Sequence, residues 1–519
     1  MYLCGHPNRF TSFALQLTDQ LNDILRSLSG FYPEVFLTGA VVVVIVADLA
    51  LGYRKSEWHR PALYGLSAVG ILGAGMLTVG QLSHPAGFLF GTMFFQDSQA
   101  IFFNLIVALA ALVALAHAGL LLPGFPEKSH PVSSDGREAL PADWLPILLT
   151  LVLGLFVMTQ SVNLLAIYLS LELVSICSYL LTALTTGRKP SEAGIKYLLF
   201  GAVSSAIMLY GMSLLYGLTG TLDLTSGVVP AELAKNPPYV VFLAGFLVLT
   251  GLFFKMSLVP MHLWTPDTYE AAPTPVVSFF SVAPKAAALL VLMRVISALP
   301  VTFQTPLAVI ALASITLGNL SALWQTDAKR LLAYSTIAHA GFVLTGVVAF
   351  SEAGFEAATF YMATYLFINM AAFLLMDVLG HPRGGGLALR DFEGLGLRRP
   401  LPGVALTIVM IALTGLPPTV GFTAKLLAFS ALFDAVQMTG NGWLLALFGL
   451  GVLNAVVSLF YYLKIPFLMY FRGTPPPEGV VQPSASLSLP VGLMLLLLIV
   501  PILLFFFRPD WLVGWIAGL

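Results

Sequence analysis

Residues Phe254–Glu270 read FKMSLVPMHLWTPDTYE, inside an apolar run over 238–270. At 1.5 Å per residue that run would be roughly 50 Å long as one helix, against a hydrocarbon core of about 30 Å. Pro260 falls near its middle and removes a backbone donor, so the run reads as two half-helices with an unwound joint. Lys255 stands in the last turn before that joint. A charge in hydrocarbon costs roughly 2.5–3.5 kcal/mol on insertion scales and by default marks a pathway or a relay. A second overlong run, 402–436, repeats the arrangement with Pro417-Pro418 and then Lys425.

Composition agrees with a membrane protein. Of 519 residues, 58% are hydrophobic and 9% charged, where a soluble domain has about 25% charged. The 33 prolines and 46 glycines fit spanning helices, which tolerate breakers. A formal net charge of -1 gives no basic surface for nucleic acid. Cys4 and Cys177 are far apart in sequence, and Cys177 lies in an apolar span, which argues against a disulfide or a metal site. The segment Met1–Arg26 has no uninterrupted apolar run before Asp19 and reads as a short interfacial or outside segment, not a cleaved signal.

Fourteen spans are expected, at about 32–52, 62–82, 96–121, 143–160, 162–184, 193–219, 238–270, 274–299, 303–326, 329–350, 355–380, 402–436, 443–466 and 486–508. Connections after odd-numbered spans hold fourteen basic residues: Arg54, Lys55, Arg60, Lys128, Arg137, Arg188, Lys189, Lys329, Arg330, Arg383, Arg390, Arg398, Arg399 and Arg472. The other connections and the tails hold four, Arg9, Arg26, Lys235 and Arg508, so both termini are expected away from the cytoplasm. The broken spans are the seventh and the twelfth. That odd period reverses orientation and is the signature of an inverted-topology repeat. The expected organisation is a non-cytoplasmic tail (1–31), three N-terminal helices (32–142), a first repeat (143–300), a second repeat (301–473) and a C-terminal helix (474–519). The fold class is therefore an all-α polytopic membrane protein with two inverted five-helix repeats, each containing one broken helix.

Four ionisable residues lie deep in these spans. Glu172 is about ten residues into span five, near mid-depth. Its bland role is a structural ion pair, and its functional role is to tune a lysine. A carboxylate within about 4–6 Å favours the charged ammonium, so a Glu172–Lys255 pair is a tunable proton site. Lys285 follows Pro284, roughly 16 Å into span eight, too deep to snorkel easily. Its alternatives are an ion pair or a bond to a helix break, and the same hold for Lys425. His339, in span ten, would alone be read as a satisfied core histidine. Between Lys285 and Lys425 in chain order it can serve as a neutral proton stepping stone. Lys196 is a weaker relay candidate, one turn into span six and able to snorkel. Asp267 and Glu270 follow the first break and bond there or face solvent. Asp377 and Arg294 lie near span ends and read as interfacial, and His262, Trp264 and Tyr269 as packing residues. A fixed ammonium repels Na⁺, and intramembrane carboxylates to coordinate it are few, so the pattern suits protons. No GxxxxGK[ST], HExxH or CxxC motif appears, so no nucleotide, haem or iron–sulfur site is expected on this chain.

The stretch Phe254–Val277, with Ser281-Val282-Ala283-Pro284-Lys285, resembles the signature of the antiporter-like membrane subunits of respiratory complex I, the bacterial NADH–quinone oxidoreductase. Supporting matches are Leu171–Leu180, Lys196–Leu199, Lys329–Ser335 and Leu413–Pro418. Pro284 before Lys285 departs from the usual pattern and puts the local turn in question. The resemblance implies a proton-translocating membrane-arm subunit, with Glu172, Lys255, Lys285, His339 and Lys425 on the proton axis. It implies partners in the same membrane arm, including a homologous antiporter-like subunit and small membrane subunits, together with membrane lipid. Flavin, iron–sulfur clusters and quinone are expected on other subunits of the complex, with no cofactor on this chain, and the location is the bacterial plasma (inner) membrane. The competing readings are a stand-alone monovalent cation/proton antiporter subunit and a scaffold whose buried charges only orient helices.

Overall fold

In hydrocarbon every backbone N–H and C=O must be satisfied within the protein, which forces each apolar run into helix. The computed structural model describes residues 7–53, 59–121, 140–185, 187–380, 387–472 and 488–519. Cys4 and the loop residues Arg54, Lys55, Lys128, Arg137 and Arg383 lie outside the described residues. The chain opens with α1 (Pro7–Gly30), α2 (Tyr32–Tyr53), α3 (His59–Gly80) and α4 (Ser98–Leu121), with a hairpin of Gly87–Leu89 and Phe94–Gln96 between α3 and α4. Then come α5 (Trp144–Gln160), α6 (Leu164–Ala183), α7 (Arg188–Thr219), the short α8 (Val228–Leu233), α9 (Pro238–Met256), α10 (Trp264–Ala271) and α11 (Thr274–Ala298). The rest is α12 (Gln304–Leu323), α13 (Ala328–Val348), α14 (Glu352–Gly380), the one-turn α15 (Leu395–Arg398), α16 (Pro400–Thr414), α17 (Val420–Thr439), α18 (Gly442–Phe471), α19 (Leu489–Phe507) and α20 (Asp510–Ile516).

Thirteen of the described helices are long and apolar enough to cross a membrane. The shorter apolar α5 supplies the expected fourth span, and α16 is the first half of the expected twelfth. Both overlong runs are broken where the prolines stand: 238–270 into α9 and α10, and 402–436 into α16 and α17. Pro284, by contrast, lies within α11, which continues through it. The N-terminal segment, to which the sequence assigned no helix, forms α1. It is tied to the hairpin by Phe90 N–H donating to Ser27 Oγ (2.7 Å) and Gly91 N–H donating to Asp23 Oδ2 (2.9 Å).

Helix neighbours recur in the two halves. The α5–α6, α6–α7, α7–α9, α7–α10, α9–α11 and α5–α11 pairs have counterparts in α12–α13, α13–α14, α14–α16, α14–α17, α16–α18 and α12–α18. The halves join through α10–α13 and α11–α14. The best 18-residue window of α11 is 100% buried and that of α13 94%, whereas that of α2 is 11% buried. The two most central helices carry Lys285 and His339, and α2, α18 and α19 present side chains such as Val43, Phe460 and Leu496 outward, as lipid-facing helices do.

Close crossings use small residues. A Cβ at Gly318 of α12 would meet Ala338 N at 2.6 Å, and one at Gly341 of α13 would meet Ala311 O at 2.8 Å. Gly318→Val is expected to cost about 1–3 kcal/mol through overpacking, read as a lower unfolding temperature of the detergent-purified protein. Val309→Ala, on an outward-facing position of the same helix, is the control and should leave that temperature nearly unchanged.

Candidate functional site

A broken helix leaves carbonyls without intrahelical partners, and both breaks satisfy them alike. At the end of α9, Ser257 turns left-handed (φ 62°), its N–H donating to Phe254 O (3.1 Å) and that of Leu258 to Phe253 O (2.8 Å). The remaining Met256 carbonyl accepts from Lys285 Nζ at 3.2 Å. At the end of α16, Gly415 turns left-handed (φ 82°), and Leu416 N–H donates to Ile411 O (3.2 Å). Here the last carbonyls, Thr414 O and Leu413 O, accept from Lys425 Nζ at 2.7 and 3.3 Å. In both cases an ammonium sits at a helix C-terminus, where the macrodipole favours a cation. A Cβ at residue 415 would come within 2.7 Å of Lys425 Cδ, so glycine there permits both the turn and the lysine's approach.

Lys255 is 1% exposed, and its Nζ has no hydrogen-bond partner. It stands 6.0 Å from the centre of the Tyr197 ring. Tyr197 stacks on Trp264 (4.0 Å, 7°), and Trp264 Nε1–H donates to Phe254 O at 3.1 Å, fixing α10 against α9. Glu172, half-buried on α6, lies within electrostatic reach of Lys255. Among the described residues the two form no direct ion pair, and Glu172 Oε1 is buried and unpartnered. The two groups are neighbours on separate helices, Lys255 fully buried and Glu172 half-buried.

His339 is buried on α13 and lies within electrostatic reach of both Lys285 and Lys425. Its Nδ1 is 2.8 Å from Tyr361 Oη and its Nε2 3.0 Å from Tyr462 Oη. Tyr462 Oη is hydrogen-bonded in turn to Ser335 Oγ. Beside it, Tyr461 donates to Asn319 Oδ1 (2.8 Å), and Asn319 Nδ2 donates to Asn454 O (3.0 Å). Tyr365 donates to Thr336 Oγ1 (3.2 Å) under the same imidazole. These hydroxyls escaped the sequence reading because tyrosine passes as a core residue. A signal existed on α14, where Tyr361, Tyr365 and Asn369 recur every four residues and so share one face.

Lys196 is set apart from this group. Its side chain is 43% exposed and paired with Glu192 (2.9 Å) and Asp267 (3.0 Å). Asp267 and Glu270 each bind Arg330 at 2.9 Å, so the α10 tip is joined to α7 and α13 by ion pairs. Arg294 and Asp377, expected to be interfacial, are both tied into the protein. Arg294 binds Asp97 through both carboxylate oxygens (2.8 and 2.9 Å), and Asp377 lies 3.1 Å from buried His117. Cys177 is a buried free thiol.

Two discontinuous helices in a polytopic bundle, each with a lysine on its freed carbonyls, define an antiporter-like membrane subunit. The chain belongs to the NADH:quinone oxidoreductase/Mrp antiporter transmembrane family, whose pattern matches residues 161–453. It is 39% identical over 464 residues to the NADH-quinone oxidoreductase subunit N of Chlorobium chlorochromatii, covering 86% of each chain. A chain of respiratory complex I from Thermus thermophilus, solved with bound aureothin, superposes with a TM-score of 0.75 at 29% identity, covering 93% of this chain and 98% of that one. A chain of the Mrp complex from a Dietzia species shares the fold, with a TM-score of 0.74 at 22% identity and coverage of 95% and 97%.

Tyr462→Phe removes the one hydroxyl that serves both His339 and Ser335. The loss of a buried hydrogen-bond partner is expected to cost about 1–3 kcal/mol, read as a lower unfolding temperature. Tyr210→Phe, at an outward-facing position, is the control and should not move it.

Proposed function

We propose that this chain is a proton-translocating membrane-arm subunit of an NADH–quinone oxidoreductase in a bacterial plasma membrane. Flavin, iron–sulfur clusters and quinone chemistry are assigned to other subunits of the complex, and its membrane-arm neighbours are taken to include a homologous antiporter-like subunit and small membrane subunits. The repeats are taken as 143–300 and 301–473, flanked by the N-terminal tail and three helices (1–142) and by the C-terminal helix (474–519). Both termini are taken as non-cytoplasmic.

One observation carries the reading. The buried imidazole of His339 stands within electrostatic reach of the lysines at both breaks and is hydrogen-bonded on both ring nitrogens to hydroxyls. A neutral imidazole so placed accepts a proton on one nitrogen and releases one from the other. In this reading Glu172 tunes Lys255, Lys285 and His339 carry the axis through the centre, and Lys425 closes it at the second break. The unpartnered Lys255 and Glu172 oxygen support a site whose pairing changes during turnover, because a buried charge left alone is costly and a small approach of the two relieves that cost. Lys196, with Asp267 on the α10 tip, is placed at the cytoplasmic mouth and not on the axis.

Lys255→Ala and Glu172→Ala are expected to lower quinone reductase activity and proton pumping at least tenfold, a barrier change of about 1.4 kcal/mol, in a complex that still assembles. Activity and pumping in reconstituted vesicles, beside a native gel for assembly, provide the measurement. Normal coupled activity in both variants would leave only the scaffold reading. Sodium-dependent transport by the purified chain alone would favour the antiporter reading.

A further inference from the structure

Unpartnered buried polar atoms fall mainly into two groups. One surrounds the first break. The other lies between the N-terminal helices and the end of α5, and comprises Glu34 Oε2, Gln160 Oε1, Asn104 Nδ2 and Gln81 Oε1. Glu34 is 1% exposed, in the first turn of α2. Its Oε1 accepts from Gln160 Nε2 at 2.5 Å, and it makes no ion pair.

Among the described side chains, the helices packed against α2 bring no compensating charge. On α1, Asp19, Asp23 and Arg26 are exposed, and Asp23 is engaged with Gly91. On α3, His59 and Arg60 stand at the far end, where His59 lies 2.6 Å from Asp48 of α2. The remaining neighbour, α5, has no acidic or basic residue at all. On α2 itself, Tyr32 donates to Leu77 O. An ionised Glu34 would thus be a buried carboxylate served by one neutral amide, an expensive arrangement. A proton on Oε2 removes the charge and supplies a donor in a group where Gln160 Oε1 lacks one.

We propose that Glu34 is a second proton-binding site of this subunit, exchanging its proton with the non-cytoplasmic side. The geometry ties it to the core of the first repeat. Gln160 follows Thr159, whose carbonyl accepts from Arg294 Nη1 (2.5 Å) and whose hydroxyl donates to Asn104 Oδ1 (2.5 Å). Arg294 is on α11, the helix that carries Lys285. Glu34, Gln81, Asn104 and Gln160 all lie toward the ends of their helices taken as non-cytoplasmic. The proton on Glu34 is independent of the relay described above, whereas its exchange during turnover rests on the proton-translocation reading.

Infrared difference spectroscopy of the assembled complex tests it. A carbonyl stretch of a protonated carboxylic acid is expected at neutral pH, shifted in D₂O and absent from Glu34→Gln, and the number of protons pumped per quinone reduced should fall in that variant. Gln160→Leu should shift the same band without removing it, which assigns the band even if Glu34→Gln fails to assemble. Absence of any such band from the wild type overturns the site. A band lost from Glu34→Gln with unchanged pumping overturns the exchange and leaves a structural proton. Normal pumping by Lys255→Ala would defeat the relay reading, yet leave the Glu34 band where it is.

Discussion

A carbonyl freed inside hydrocarbon must find a donor, and that requirement shapes the centre of this protein. Each helix break exposes such groups at membrane depth, where an unsatisfied one costs several kcal/mol. Backbone N–H groups of the left-handed turns take the earlier carbonyls, and a lysine ammonium takes the last. Lys285 and Lys425 are therefore structural caps as well as candidate proton carriers. A relay built this way does not add charge to a finished fold. The breaks need the donors, and the donors come with titratable protons.

The two breaks are not equivalent, and the difference is chemical. The second turns at Gly415, which adopts a positive φ without steric cost, and its lysine follows the break and has two carbonyls. The first turns at Ser257, a side chain in a region that most residues avoid, and its own lysine precedes the break without a partner. Around that first joint, Ser257, His262, Thr265, Thr268 and Tyr269 have unpartnered buried atoms, as does Asn369 on the facing helix. Buried groups of this kind are satisfied by water when no protein partner exists. The first break is thus the polar, hydratable one, and the second is self-contained.

The sequence disclosed what depends on length, hydropathy and proline position. Every expected span has its helix, and the run 238–270 breaks beside Pro260 because a crossing longer than the bilayer with a missing donor has no other solution. Lys255, Lys285, His339 and Lys425 were legible because a charge or an imidazole in an apolar span has few innocent explanations. What was not legible depends on tertiary approach. The Met256 carbonyl under Lys285 comes from another helix, and no spacing in α11 announces it. Tyr361 and Tyr462 look like core aromatics until their hydroxyls meet one imidazole. Glu34 was passed over because it lies near a span end, where an acid ordinarily reaches water, and only the packing of α5 closes that route. The gap between Glu172 and Lys255 was not legible either, because side-chain depth along two helices does not fix it.

The ion pairs at the two ends of the first repeat indicate which part can move. At the α10 tip, Lys196, Asp267, Glu270 and Arg330 are all about a third or more exposed, and such pairs are worth about 0–1 kcal/mol each. At the other end, Arg294 and Asp97 are 11% and 19% exposed and bonded twice. Removing one partner of a pair that dry costs about 3–5 kcal/mol. The end of α11 is therefore anchored, whereas the ion pairs of α10 are weak and its C-terminal carbonyls, Glu270 O and Ala272 O, accept from half-buried Lys329 Nζ (3.4 and 2.8 Å). Trp264 opens α10 and stacks on the Tyr197 ring that faces Lys255. A rotation of α10 would act directly on the surroundings of Lys255, whose Nζ has no partner among the described residues. The same break that creates the need for a donor supplies the hinge by which its neighbour's charge can be changed.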